Sequence, residues 1–348
     1  MILIKYCSLK PSWQDANTKM KTLEKQIFGK TYHTDDTRDE TKPIETWFSN
    51  SPEGLMLFII FYTKACRWNK CLGCNLPSLS ASKNIDFRAL MSQIDFVYQK
   101  PEILRECANI RQIIVSNNGS VLDEETFSST ALIYFVAKTN MLIPNLSVLT
   151  LETRTEYVDI EELEFLARVL KEGETPTNLE IAIGLEAYDD RIRNKVFKKG
   201  LLLSQIEQLA EKLAHHNFRL KCYLMQKPVP EMTDEEAIED IKNAIDYLDK
   251  LAARFGIKVN MHLNPTYVAT GTALEEAFKN NKYRPPYLSD VTRAVRFAKG
   301  KNISVCIGLN DEGLAVSGGS FLREGDAKIV EILHTFNNTQ NFELLEGT

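Results

Sequence analysis

Apolar positions along the chain fall into seven short runs, each closed by polar residues and followed by a charged stretch. The runs are 54–63, 110–118, 146–153, 179–187, 218–227, 257–265 and 303–310. They are eight to ten residues long and rich in β-branched and aromatic side chains, so they predict strands. Between them the apolar spacing changes to three and four residues. This predicts helices over 158–172, 203–215 and 233–255, the last with Thr233 as N-cap and Glu235 and Glu236 in its first turn. A final helix is expected near 326–336.

Near-continuous apolar strands alternating with helices predict a parallel sheet covered by helices. Six or seven such units fit an α/β fold of the TIM type, here a partial (β/α)6 barrel with N- and C-terminal elaborations. A doubly wound open sheet is the alternative, but no Gly-rich dinucleotide fingerprint follows any strand. The chain divides as an N-terminal extension, 1–45, a core barrel, 46–310, and a C-terminal extension, 311–348, expected to pack on the barrel. For 348 residues this means one elaborated barrel rather than two independent domains. The polar segment 31–43 reads as a loop.

Composition changes this picture little. Hydrophobic residues are 44% and charged residues 26%, ordinary globular usage. No apolar run approaches the ~18 residues of a membrane span, and no signal peptide is read at the start, so a cytoplasmic location and no membrane partner are expected. A net charge of −5 supplies no global basic field for nucleic acid.

Cysteine changes it more. Seven cysteines, an odd count, argue against a disulfide framework. Three of them, Cys66, Cys71 and Cys74, fall within nine residues directly after the first run, in the sequence TKACRWNKCLGCN. In a barrel that is the end of the strand where active sites are built. Three readings suit such a loop. A plant-type iron–sulfur site has this spacing and takes a fourth, distant cysteine, for which Cys107 is the candidate, although its surroundings suit a small packing residue better. Zinc could take the three thiolates with a histidine such as His262. Lastly, three cysteines can hold three irons of a [4Fe–4S] cluster and leave the fourth open, the arrangement used for radical chemistry on S-adenosylmethionine (SAM).

The other strand ends carry Asn118-Gly119-Ser120, Glu152, Glu186, Gln226-Lys227, His262-Leu263-Asn264 and Asn310-Asp311. Glu152 and Glu186, carboxylates on successive strands, exceed what a bland rim needs. Their alternative role is in rim ion pairs with Arg154 and Arg191.

With the loop, the periodicity and these ends in view, the chain resembles the radical SAM superfamily. Its cysteine spacing is that of the branch containing the Elongator catalytic subunit. Within that branch it resembles in particular the radical SAM enzymes of archaeosine formation in tRNA and their homologues. The shared stretches are SNNGSVLD (116–123), IGLEAYDDRIRNKVFKKG (183–200), KCYLMQKP (221–228) and LNPTYVATGTALEEAFKNNKYRPP (263–286).

The resemblance implies cofactors, a [4Fe–4S] cluster and SAM, with Cys66, Cys71 and Cys74 as iron ligands. It implies Asn118, Gly119 and Ser120 at the SAM amino group, and Glu152 and Glu186 at the ribose hydroxyls. Lys199, with Lys198 as substitute, would meet the SAM carboxylate. Asn75 stands where relatives have an aromatic residue against adenine, and Trp68 could shield the cluster. A one-electron reductant of the flavodoxin or ferredoxin type and tRNA are the implied partners. A small-molecule substrate, a non-enzymatic iron–sulfur electron carrier and a zinc RNA-binding module remain open. Tyr283-Arg284-Pro285-Pro286 is either a nucleic-acid contact or a bend. His215-His216 reads as a helix terminus, and Gly318-Gly319-Ser320 as a loop.

Overall fold

The computed structural model describes residues 30–348; most of the expected N-terminal extension, with Cys7, lies outside the described residues. Eight strands form one sheet in sequence order: β1 (Glu45–Ser51), β2 (Gly54–Ile60), β3 (Ile110–Ser116), β4 (Val148–Thr153), β5 (Asn178–Glu186), β6 (Arg219–Gln226), β7 (Val259–Pro265) and β8 (Ser304–Ile307). Strands β2 to β8 are parallel. The sheet curls into a half-barrel, the α/β fold read from the sequence.

All seven expected strands are present. The eighth, β1, was not foreseen. It pairs antiparallel with β2 through a two-residue turn and stacks Trp47 on Phe58, centroids 4.3 Å apart. Its sequence, ETWFSNS, is neither strictly alternating nor apolar enough to be read as a strand.

Helices α1 (Phe87–Gln99) and α2 (Pro101–Glu106) follow β2, and α3 (Ser129–Leu142) follows β3. Next come α4 (Ile160–Leu170), α5 (Leu203–His215) and α6 (Asp234–Phe255), each after one strand. Two helices, α7 (Ala273–Lys279) and α8 (Leu288–Val295), separate β7 from β8, and α9 (Ala327–Thr339) ends the barrel. The Thr233 cap of α6 forms as expected, its side chain accepting from Glu236 N–H at 3.2 Å while Glu236 reaches back to Thr233 N–H at 2.8 Å. None of the helices among the described residues is long and apolar enough to cross a membrane.

Each strand turns one set of alternate residues to the helices. Leu57 and Ile59, Ile113 and Val115, Leu149 and Leu151, Leu220 and Leu224, and Met261 and Leu263 form the main core with the helical faces. The other set points into the barrel and is polar. Near the strand starts these residues join in a belt across six strands. Gln112 donates to Thr150 at 3.0 Å, and Thr150 to Glu180 at 2.8 Å. Lys221 lies 3.5 Å from Glu180 and donates to Asn260, and Asn260 donates to Ser304 at 2.8 Å. A buried Lys–Glu pair is tolerated only when its remaining donors and acceptors are met, and this belt meets them.

Strands β1 and β8 are the two edges of the sheet. Helix α9 packs against both. Its side-chain amides take the place of a neighbouring strand: Asn337 bonds both N–H and C=O of Ile307 at 2.8 Å, and Gln340 does the same for Val305. The final helix thus covers both edges of the sheet.

Candidate functional site

The cysteine loop leaves β2 at the C-terminal end of the sheet and is tied to its neighbours at many points. Leu72 N–H donates to Phe197 O at 2.8 Å, and the Trp68 indole donates to Lys198 O at 2.9 Å. The Trp68 ring lies on Gly200, where a Cβ would overlap it, and carries the Arg154 guanidinium 4.6 Å from its centroid. Arg67 pairs with Asp123 at 2.7 Å, from the turn after β3. Asn69, in the left-handed region at φ 38°, accepts from Lys30 and from Tyr32, both at 2.9 Å. Tyr32 also donates to Cys74 O at 3.1 Å, and Asn75 donates to Thr270 O at 3.1 Å. Segments from five other parts of the chain therefore fix this loop.

The three thiols lie close enough to influence one another, and burial pushes Cys71 upward and Cys74 to about 12. Gly119, from the turn after β3, abuts the first of them: a Cβ there would lie 3.3 Å from Cys66 Cα. Asn118 precedes it with φ 56°. The structure thus brings Asn118-Gly119-Ser120 against the cysteine loop.

Glu186 ends β5 at a register irregularity, with φ 68°. It pairs with Lys199 at 2.7 Å, both side chains largely buried. Gly184 makes room for this pair, since a Cβ there would overlap both charged groups. Burial acts to lower the Lys199 pKa, but Glu186 and Cys71 outweigh it and the net shift is upward. Two groups expected to meet different parts of one ligand are therefore bonded to each other. The alternative rim pair with Arg191 is not formed. Arg154 turns instead to Glu156, at 2.5 Å, and to the carbonyls of Lys199 and Gly200.

Glu152 accepts from Tyr223 at 2.5 Å, and burial raises its pKa. Tyr223 in turn packs on His262, ring centroids 5.0 Å apart. Burial and the nearby Lys221 hold His262 neutral, with a pKa lowered to about 3. Strand alternation could have revealed Tyr223, His262 and Asn264 as one interior-facing group. Tyr267 and Glu312, bonded at 2.8 Å beside this site, carried no sequence signal.

Other candidates fall away from the loop. Cys107 closes α2 ahead of β3, so the length of that strand, about 20 Å at 3.3 Å per residue, separates it from the cysteine loop. His215 and His216 end α5, with His216 2.9 Å from Glu164. Tyr283 is buried and donates to Lys227 O at 2.8 Å; Arg284 pairs with Asp234 and lies over Tyr287. Gly319 N–H and C=O tie the 318–320 loop to Val316 and Val268.

Seven buried side-chain polar atoms among the described residues have no partner: Asn75 Oδ1, Ser80 Oγ, Asn117 Oδ1, Ser120 Oγ, both amide atoms of Gln226, and Thr266 Oγ1. All lie at the C-terminal ends of strands or in the loops just beyond. Buried polar groups are seldom left unmet, and their gathering at one end of the barrel suits a polar ligand there. No group of three or more His, Cys, Asp and Glu side chains among the described residues is disposed to hold a metal ion. A single zinc ion draws its donors to about 2.0–2.3 Å from one point. The thiolates of an iron–sulfur cluster sit on separate irons, and three cysteines on the one loop 66–74 are a donor set of the kind such a cluster takes.

No family model matches the chain. It is 26% identical over 320 residues to an uncharacterized protein of Methanocaldococcus jannaschii, covering 88% of this chain and 84% of that one. It is 27% identical over 308 residues to archaeosine synthase subunit beta of Methanosarcina acetivorans, covering 86% and 84%. Among solved structures, an N-terminally truncated Elp3 of Methanocaldococcus infernus overlays 66% of this chain and 54% of its own, at 16% identity and a TM-score of 0.47. Over most of its length the chain thus resembles an archaeosine synthase subunit beta.

Proposed function

We propose that this protein is a radical SAM enzyme that acts on a nitrogen-rich nucleoside of tRNA. In this reading 46–310 is the catalytic core, elaborated by 1–45 and 311–348. Cys66, Cys71 and Cys74 ligate a [4Fe–4S] cluster, and the unpartnered buried polar atoms of Asn75, Asn117 and Ser120 beside their loop are the observation that carries the reading. Bound there and reduced by a flavodoxin- or ferredoxin-type donor, the cluster supplies the electron that cleaves SAM to methionine and a 5′-deoxyadenosyl radical.

The chain's own residues bind, orient and exclude water. Ser120, with a free buried hydroxyl beside the cysteine loop, suits the SAM amino group. Glu152, whose carboxylate Tyr223 and Ser116 both meet, suits the ribose hydroxyls. The bond between Lys199 and Glu186 stores a cation and an anion for the SAM carboxylate and ribose, at the cost of parting them on binding. Trp68, clamped between Arg154 and Gly200, closes the loop against solvent.

The tRNA substrate rests on the name of the archaeosine synthase relative. The net charge of −5 is the observation that favours a second reading, a free small molecule.

Anaerobic reconstitution tests the chemistry. Four irons per chain and release of 5′-deoxyadenosine after dithionite reduction are expected, and Cys66→Ala should abolish both. Failure of the intact protein to take up iron would remove the reading. Comparing modified tRNA nucleosides with and without the gene tests the substrate; an unchanged profile favours the small molecule.

A further inference from the structure

At the N-terminal ends of the strands, opposite the cysteine loop, the barrel opens into a cavity of about 550 Å³. That volume lies within the roughly 300–1,000 Å³ of small-molecule pockets. Its floor is the polar belt. Its rim is carried by the turn between β1 and β2 and by the starts of β6, β7 and β8. Register turns the rim inward. Arg219 shares the interior-facing parity of Lys221 on β6, and Lys258, one residue ahead of β7, shares that of Asn260.

The rim is rich in donors. Arg219, its side chain only 12% exposed, gives Nη1 to Glu53 at 2.6 Å. Among the described residues its Nε and Nη2 meet no acceptor, and neither is one of the buried unpartnered atoms, so both stay accessible. These two N–H groups form one edge of the guanidinium, the edge that grips an oxyanion through two parallel hydrogen bonds. Lys258 is exposed and has no ion pair among the described residues. Leu220 N–H donates to Lys258 O at 3.0 Å, which sets the two rim cations on adjacent strands. Lys301, also on the rim, is instead neutralised by Asp246 and Asp249 of α6.

The floor is rich in acceptors. Glu180 uses Oε2 for Thr150 and faces Lys221 with the same oxygen. Its Oε1 and the Oε1 of Gln112 accept no hydrogen bond among the described residues, and both stay accessible. The belt joins the strands without these atoms. A purely structural role therefore leaves over two acceptors below and a bidentate cation edge above. Four cations against two carboxylates line the cavity, in a chain whose net charge is −5.

We infer that this cavity binds a small hydroxylated oxyanion, a phosphate ester or a carboxylate carried on a polyol body. The oxyanion sits on the Nε–Nη2 edge of Arg219 with Lys258 at its flank. Hydroxyls of the body donate to Gln112 Oε1 and Glu180 Oε1. Water alone fills the acceptors but leaves the largely buried cation edge without an anion. The cavity and the cysteine loop lie at opposite ends of the strands, so the inference stands whatever chemistry that loop performs.

The test is calorimetric titration of the full chain with glycerol 3-phosphate, with glycerate as the carboxylate probe and glycerol as the uncharged body. At least one of the two anions should bind, and glycerol at least about tenfold more weakly. Tighter glycerol 3-phosphate identifies a phosphate ester, and tighter glycerate a carboxylate. Arg219→Gln should lose at least about tenfold, and Arg219→Lys, which keeps the charge without the fork, should lose less. Lys258→Gln should lose about two- to fivefold, and affinity should fall severalfold between about 20 mM and about 200 mM salt. Lys199→Gln, at the other end of the barrel, should bind as the native chain does. Circular dichroism melting shows whether each variant is folded, and the exposed Lys258 keeps the test decisive if Arg219→Gln is not. No binding of either anion by the intact chain, equal binding of glycerol, or undiminished binding by folded Arg219→Gln would overturn the inference. So would binding lost in Lys199→Gln and kept in Arg219→Gln, which would place the anion beside the cysteine loop.

Discussion

Tyr223 on β6 reaches across the whole of β5 to hydrogen-bond Glu152 on β4 at 2.5 Å. Register explains how it can. Tyr223 lies beside Gly184, and Glu152 beside Ala182, so at this level the strand between them presents only these two small residues to the barrel interior. The hydroxyl presets the carboxylate that the proposed function assigns to ribose. Tyr223→Phe leaves a buried carboxylate short of a donor, and a hydrogen bond to a charged group contributes about 1.5–3 kcal/mol. Urea unfolding should show a loss of that order, with a smaller loss in Glu152→Gln, where an acceptor oxygen remains. Unchanged stability in Tyr223→Phe would mean the bond is not made in solution.

Gly184 also shelters the Glu186–Lys199 pair, and its own position has no room for a methyl group. In Gly184→Ala the two side chains must part or the strand must shift. Overpacking of this kind costs about 1–3 kcal/mol. A lowered melting temperature is expected, together with a weaker effect of Lys199→Met in that background than in the native chain, because the ion pair is already broken. Additive losses would show the pair intact and the crowding relieved elsewhere.

Much of this architecture was legible because strand and helix periods differ. The seven parallel strands stood out as apolar runs, and Thr233 with Glu236 announced the start of α6. The cysteine loop was legible because three thiols in nine residues rarely arise without a shared role. The barrel interior was less so. Glu180, Lys221 and Asn260 each interrupt an apolar run singly, Gln112 follows Arg111, and only the register across strands reveals one belt. Glu312 and Tyr267 are 45 residues apart, and the lacing that joins them is backbone hydrogen bonding, which leaves no trace in side-chain pattern.

The open edge of β8 depends on two side-chain amides. Asn337 and Gln340 each satisfy an N–H and a C=O that a ninth strand would otherwise take. Asn337→Ala leaves the Ile307 pair unmet in a buried position, at a cost of about 1–3 kcal/mol for each such group. Amide exchange should accelerate at Ile307 far more than at Leu263 on the neighbouring strand. Equal acceleration at both positions would indicate global destabilisation instead of a role in capping the edge.

His262 sets part of the acid limit of the fold. Its pKa drops from 6.5 to about 3, first through burial and then through the positive Lys221, with Asn264 opposing and the Tyr223 ring packed against it. The unfolded chain therefore takes up a proton near pH 6.5 that the folded chain refuses until near pH 3. Stability falls as pH is lowered through that window, by up to about 1.4 kcal/mol per pH unit. His262→Gln removes this contribution while the carboxylates still titrate in both proteins. Urea unfolding at pH 7, 6, 5 and 4 should show the native chain losing its advantage over His262→Gln as the solution is acidified. A constant difference between the two across that range would mean that His262 protonates alike in the folded and unfolded chain, and that the ring is not held neutral inside the barrel.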